Sequence, residues 1–245
     1  MRNYSEEFKN RVEFIKKLLA DSHANGIIYG NSGGKDCALV SILCKAACEN
    51  TVGVIMPCSS KRNFGMDKDD GMEVANKFNI ETRVVDLTAQ KELVMSSLDG
   101  ITNLNNAAIT NIAPRLRMIT LYAIAASENL LVAGTGNRDE MYMGYFTKWG
   151  DGGHDFNPIS DLNVREIYEF LRFLDCPECI INKAPSAGLF EGQTDEDDMG
   201  VTYAAIDEYM DSGTGTPHDI EIIKRYHQRS EHKRKGIARY KEIIE

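Results

Sequence analysis

The segment Gly30-Asn31-Ser32-Gly33-Gly34-Lys35-Asp36-Cys37 constrains this chain more than any other, because it joins a short apolar run, Ile27-Ile28-Tyr29, to helical periodicity from Ala38 to Cys48. Strand, glycine loop and helix in that order make a corner suited to an anion. Glycines let backbone N–H groups approach an oxyanion, Ser32 adds a hydroxyl donor, and the helix presents its positive end. The spacing excludes a Walker A loop: Gly30 to Gly34 is one residue too short, and Asp36 follows Lys35 where a hydroxyl is required. The dinucleotide fingerprint Gly-x-Gly-x-x-Gly is absent too, since Gly134-Thr135-Gly136-Asn137-Arg138-Asp139 carries Asp139 in place of its third glycine.

The same alternation continues along the chain. A first helix runs from Ser5 through Phe8, Val12, Ile15 and Leu19 and closes at Asn25-Gly26. Beyond the glycine loop, Val52 to Met56 reads as a strand, Asp67 to Phe78 as a helix, Arg83-Val84-Val85 as a strand and Ala89 to Leu98 as a helix. A longer helix follows from about Ala113 to Glu128, then a strand from Leu130 to Ala133 that ends in Gly134-Thr135-Gly136. Continuous apolar strands between long helices predict an α/β fold, a doubly wound parallel sheet flanked by helices, in a single domain over residues 1–245. After Tyr145, glycine loops separate short helices, which reads as decoration on the sheet without a second core. Asn163 with Glu166 forms a capping pair, and Thr216-Pro217 starts the last long helix.

Charge and composition narrow the partners. Lys+Arg 28 against Asp+Glu 37 gives a net charge of -9, which disfavours attraction to a nucleic-acid backbone. No apolar run approaches the length of a membrane span, and the N-terminus lacks an apolar signal core, so a cytoplasmic protein is expected. Six cysteines are too few for a disulfide scaffold and read as reduced thiols; Cys176-Pro177-Glu178-Cys179 has no second pair with zinc-site spacing. The acids Asp195 to Asp198 precede a helical run from Thr202 to Met210 and suit its dipole. Against the acidic total, the basic run with Lys224, Arg225, Arg229, Lys233, Arg234 and Lys235 reads as a local polyphosphate site.

Ser-Gly-Gly-x-Asp at this position resembles the pyrophosphate-binding loop of the ATP pyrophosphatases. Further blocks extend the likeness in order: Asn111-Ile112-Ala113-Pro114-Arg115-Leu116-Arg117-Met118, Gly134 to Glu140, Gly144-Tyr145-Phe146-Thr147-Lys148, Gly150 to Ile159, Pro185 to Leu189, and Gly192 to Glu196. Together they resemble the ammonia-dependent NAD synthetases. The resemblance implies a two-step amidation with ATP as co-substrate. The nicotinate carboxylate of deamido-NAD attacks the α-phosphate of ATP, pyrophosphate leaves, and ammonia displaces AMP.

By the same resemblance Asp36 and Glu140 ligate Mg2+, Gly30 through Cys37 with Thr135 and Ser186 hold ATP, and Arg115, Lys148, Asp155, His232 and Lys233 hold deamido-NAD. Asp151 is the candidate that receives ammonium or its proton. Two positions depart from the family. Cys37 stands where Ser is usual, which either leaves the phosphates to backbone N–H groups or, with a stabilised thiolate, opens the loop to oxidation. Val164 stands where a Lys on the ATP phosphates is usual, with Arg165 and Lys183 as replacements to be weighed.

A strand that already begins near Ile27 leaves no room for a preceding amidohydrolase domain, so free ammonia, or ammonia from a separate glutaminase, is expected. The family commonly forms homodimers, which would double the -9 charge. Two rivals remain: a transfer-RNA-modifying ligase or thiolase of the same loop group, and a module that senses ATP without turnover.

Overall fold

The structure is a computed structural model and describes residues 2–59, 65–183 and 194–240. Its four strands are β1 (Gly26–Gly30), β2 (Thr51–Ile55), β3 (Glu81–Val84) and β4 (Leu130–Ala133). The first five helices are α1 (Tyr4–Ser22), α2 (Lys35–Ala47), α3 (Met66–Lys77), α4 (Thr88–Ser97) and α5 (Asn106–Glu128). Then come α6 (Arg138–Met143), α7 (Val164–Phe173), α8 (Glu178–Ile181), α9 (Asp195–Met199), α10 (Tyr203–Ser212), α11 (Pro217–Arg229) and α12 (Glu231–Arg234).

The strands pair in parallel in the order β3-β2-β1-β4, with Ile28 opposite both Val52 and Val132. Alternate residues of β1 face opposite layers. Ile27 and Tyr29 meet Ile15 of α1, Leu39 and Leu43 of α2 and Phe170 of α7, whereas Ile28, Val52, Val54 and Val132 meet Leu121 and Ala125 of α5. Helices therefore cover both faces, as expected of strands that are apolar on both sides. The strand order reverses between β1 and β4, so the loops that leave them, 31–34 and 134–137, diverge and open a crevice at the carboxyl edge of the sheet.

One local expectation is corrected. Helix α5 begins at Asn106 rather than Ala113, because the Asn105 side chain accepts the Ala108 N–H at 2.9 Å and caps a turn that the polar sequence disguised. Pro114 lies inside the helix and leaves the Thr110 carbonyl without its usual donor.

The last hundred residues also hold an apolar cluster of their own. It contains Val164, Met199, Val201, Tyr203, Ile206, Ile222 and Ile223, packed with Met143 of α6. Sequence periodicity hid it because its helices are short. The acids of α9 do serve the next helix, since Glu196 Oε1 accepts the N–H of Tyr203 at the first turn of α10, at 2.8 Å.

Candidate active site

The crevice deepens into a cavity of about 750 Å³. Its floor is the loop after β1. Gly33 has φ +68°, and a Cβ there would stand 2.0 Å from the Asp67 carbonyl oxygen, so the turn admits glycine alone. Asn31 shapes the rest: its N–H donates to Val54 O (2.9 Å), its amide to Gly71 O (3.1 Å), and its Oδ1 accepts the Gly33 N–H (3.2 Å). Helix α2 has Gly34 at its N-cap and no side-chain cap, which leaves its first amides for an anion. Cys37 is buried with Sγ 3.0 Å from Ser32 Oγ, and burial pushes the thiol up, so it is held as a neutral thiol.

The loop after β4 supplies the second wall. Asn137 caps α6: its Oδ1 accepts the N–H groups of Asp139 and Glu140, while Glu140 Oε2 accepts the Asn137 N–H at 2.9 Å. The Asn137 amide also reaches Asp36 Oδ1 at 3.3 Å and ties the two loops together. Asp36 and Glu140 thus face one cavity. Lys35 sits beneath them with Nζ 2.8 Å from Asp36 Oδ2.

Burial, and then the neighbouring Asp36, push the Glu140 carboxyl well above the usual range. Burial also works against the charge of Lys35, but Asp36 and Glu140 outweigh it and hold the ammonium protonated. Two carboxyl groups facing one cavity beside a glycine loop suited to an anion fit Mg2+, which is held by one or two carboxylates together with substrate phosphates. Among the described residues no three His, Cys, Asp or Glu side chains form an all-protein metal cage.

Thr135, Asp151 and Lys233 line the same cavity. The Asp151 carboxylate accepts the Thr147 N–H at 2.9 Å, and its enclosure by the walls pushes its carboxyl up. Lys233 Nζ donates to Gly144 O (2.7 Å) and Phe146 O (2.6 Å), anchoring the C-terminal helix across that loop. Arg115, Lys148, Asp155 and His232 lie outside the lining. Lys148 Nζ donates to His232 O at 2.5 Å, the Arg115 guanidinium to Lys148 O at 3.3 Å, and Asp155 accepts from Tyr122 and from the Val132 N–H at 2.8 Å each. Ser186 lies outside the described residues.

Val164 is buried, and its N–H donates to Asp139 Oδ2 at 3.0 Å. Of the two replacements weighed for a cation there, Arg165 points to solvent beside Glu169, whereas Lys183 reaches the loop. Sequence reasoning overlooked Arg117, which lines the cavity and donates to Met56 O at 3.1 Å. It lies two residues from Arg115, a little over half a helical turn, so the two arginines face different ways. Arg225, Arg229 and Lys233, which the sequence grouped in one basic run, all line the cavity. His154 was missed as well; burial lowers its pKa, and its ring lies where a Cβ on Gly134 would be, 2.4 Å away.

A sequence profile of the NAD synthase family matches residues 7–241. An NH(3)-dependent NAD(+) synthetase of Carboxydothermus hydrogenoformans is 45% identical over 236 residues, 95% of this chain and 96% of that one. In structure, the chain is similar to an NMN synthetase from Francisella tularensis, with TM-score 0.92 and 36% identity over 98% of this chain and 99% of that one. It also resembles an NH3-dependent NAD synthetase from Campylobacter jejuni in complex with the nitrate ion, with TM-score 0.80 and 29% identity over 97% and 99% of the two chains. A glycine floor and a carboxylate wall meeting where the strand order reverses, in a chain matched over nearly its whole length, make this protein a member of the NAD synthase family.

Proposed function

We propose that this chain amidates deamido-NAD to NAD with ATP and ammonia, and that residues 1–245 act as one synthetase unit. The observation that carries this reading is the meeting of Asp36 and Glu140 above an uncapped α2 N-terminus in one cavity. The reaction begins between two anions, a nicotinate carboxylate and an α-phosphate, so charge must be neutralised before they approach. The loop amides hold the phosphates, Lys183 fixes the loop that presents them, and Arg117 adds positive charge to the wall. Gly30, Val54, Met56, Leu121 and Val132 line an apolar slot that suits the adenine ring. Asp36 and Glu140 would hold Mg2+, which when bound spreads the charge that builds on the departing pyrophosphate. Asp151 binds ammonium and takes its proton, leaving ammonia to displace AMP from the adenylate.

Pyrophosphate and NAD are to be measured with ATP, Mg2+ and deamido-NAD, run with ammonium, with glutamine and with neither. NAD formed with ammonium alone is the expected result, and no NAD with ammonium would sink the reading. Nicotinate mononucleotide forms a second arm. It carries the same nicotinate carboxylate on half the dinucleotide, and both the likeness to an NMN synthetase and the placement of Arg115, Asp155 and His232 outside the lining favour testing it. A higher kcat/KM with the mononucleotide would assign the smaller acceptor.

A homodimer is proposed on the face built by α4 and α5. Helix α4 buries no residue and α5, 23 residues long, buries Ala113, Leu121 and Ala125, while Leu93, Ile101 and Ile119 are exposed. Sedimentation as a monomer at micromolar concentration would exclude it. All six cysteines are free thiols, which suits the cytoplasmic location we propose. Among the described residues no helix is long and apolar enough to cross a membrane.

A further inference from the structure

Lys35 is 6% exposed, and its charge is engaged inside the protein. Its Nζ lies 2.8 Å from Asp36 Oδ2 and 5.8 Å from the centre of the Tyr203 ring, with Glu140 as a second anionic neighbour. The Tyr203 hydroxyl in turn donates to Asp195 Oδ2 at 3.0 Å, which fixes the ring under the ammonium. A buried ammonium persists only where anions hold it, and here those anions are the two carboxylates proposed for the metal. An ammonium and a divalent cation compete for the same carboxylate oxygens. A metal ion entering alone would meet a site already neutralised and would set two cations against each other at close range. One entering with phosphates brings the anions to which the displaced ammonium can turn. Lys35 lines the cavity on the phosphate loop itself, so that exchange needs side-chain rotation and no movement of the backbone.

We propose that Lys35 is an internal counter-ion for the Asp36–Glu140 pair, which passes to the nucleotide's phosphates when the divalent cation enters and so makes metal binding conditional on nucleotide. This rests on the reading above in taking ATP as the nucleotide and Asp36 and Glu140 as the residues that would hold the divalent cation. The test uses the full-length chain, with Mn2+ as a spin-resonance probe, titrated with and without the α,β-methylene analogue of ATP. In the parent protein Mn2+ binds weakly alone and at least roughly tenfold more tightly with the analogue. Lys35→Met raises nucleotide-free Mn2+ affinity by roughly tenfold and shrinks the advantage given by the analogue. Lys35→Gln carries the same expectation, so a methionine variant that fails to fold does not remove the test. Adding Asp36→Asn abolishes the gain and ties it to this site.

Nucleotide-free Mn2+ affinity unchanged in folded Lys35 variants would overturn the proposal, as would tight Mn2+ binding by the parent protein alone. Because the assay contains no nicotinate nucleotide, failure to form NAD leaves the result intact. Conversely, loss of the nucleotide effect can be seen in an enzyme that still makes NAD.

Discussion

Lys183 Nζ lies 3.0 Å from the carbonyl oxygen of Gly33 and 2.8 and 2.6 Å from Asp67 Oδ1 and Asp70 Oδ2. A side chain 150 positions downstream thereby pins the Gly33 turn of the glycine loop to α3. The lysine is shielded from water, as are both aspartates, so the three charges depend on one another. Lys183→Met leaves Asp67 and Asp70 facing each other. It is expected to cost about 2 kcal/mol of stability and to raise the KM for ATP about tenfold, read by thermal unfolding and by pyrophosphate release.

Gly33→Ala tests the turn itself. A side chain at φ +68° costs about 1 kcal/mol, and its Cβ would meet the backbone of Asp67, which cannot swing away as a side chain tip could. The variant is expected to lose measurable ATP binding by calorimetry while keeping the helical content of the parent by circular dichroism. Parental ATP affinity would show that the loop tolerates another conformation.

In the role proposed for it, Asp151 must be anionic to hold ammonium, yet its enclosure raises its carboxyl. The acid limb of kcat/KM for ammonium should therefore fall at higher pH than for an ordinary carboxylate. Asp151→Asn is expected to lower kcat by about a hundredfold and to remove that limb, while adenylate formation continues without ammonium. A pH profile with the limb intact in the variant would move the role to another group.

Asp139 and Asp207 give the fold a pH dependence separate from the chemistry. Each has a buried Oδ1 without a hydrogen-bond partner among the described residues, a deficit that one shared proton would relieve. Burial, and for Asp139 the charge of Asp207, raise both carboxyls, so the folded protein binds this proton more tightly than the unfolded chain does. The stabilisation is complete below the ordinary carboxylate range and is lost as pH rises through the raised value. Melting temperature should decline from pH 5 to pH 8.5. Asp207→Asn, which replaces the shared proton with an amide donor, should flatten the decline.

The sheet was legible because β1, β2 and β4 are apolar on both faces and end at glycine, proline or a turn, so run length and punctuation agreed. The glycine loop was legible because short-range spacing carries it, whereas Glu140 was reached only through the resemblance of several ordered blocks. Arg117, by contrast, is marked by nothing except the phase of a helix whose true start lay behind a polar stretch and an internal proline. The apolar cluster around Ile206 and Ile223 was hidden for a related reason: helices of five to thirteen residues show too few turns for a clear period, and their partners are distant in sequence.

The reversal of strand order between β1 and β4 also bears on how the molecule assembles. Asp36 and Asn137 touch although 101 positions separate them, and the β1–β4 pairing that brings them together is a long-range closure of the kind that forms slowly. Neither half of the proposed phosphate site is complete until that closure has occurred. Nucleotide binding is then a property of the finished chain, and ATP added during refolding would favour the last step without capturing earlier intermediates.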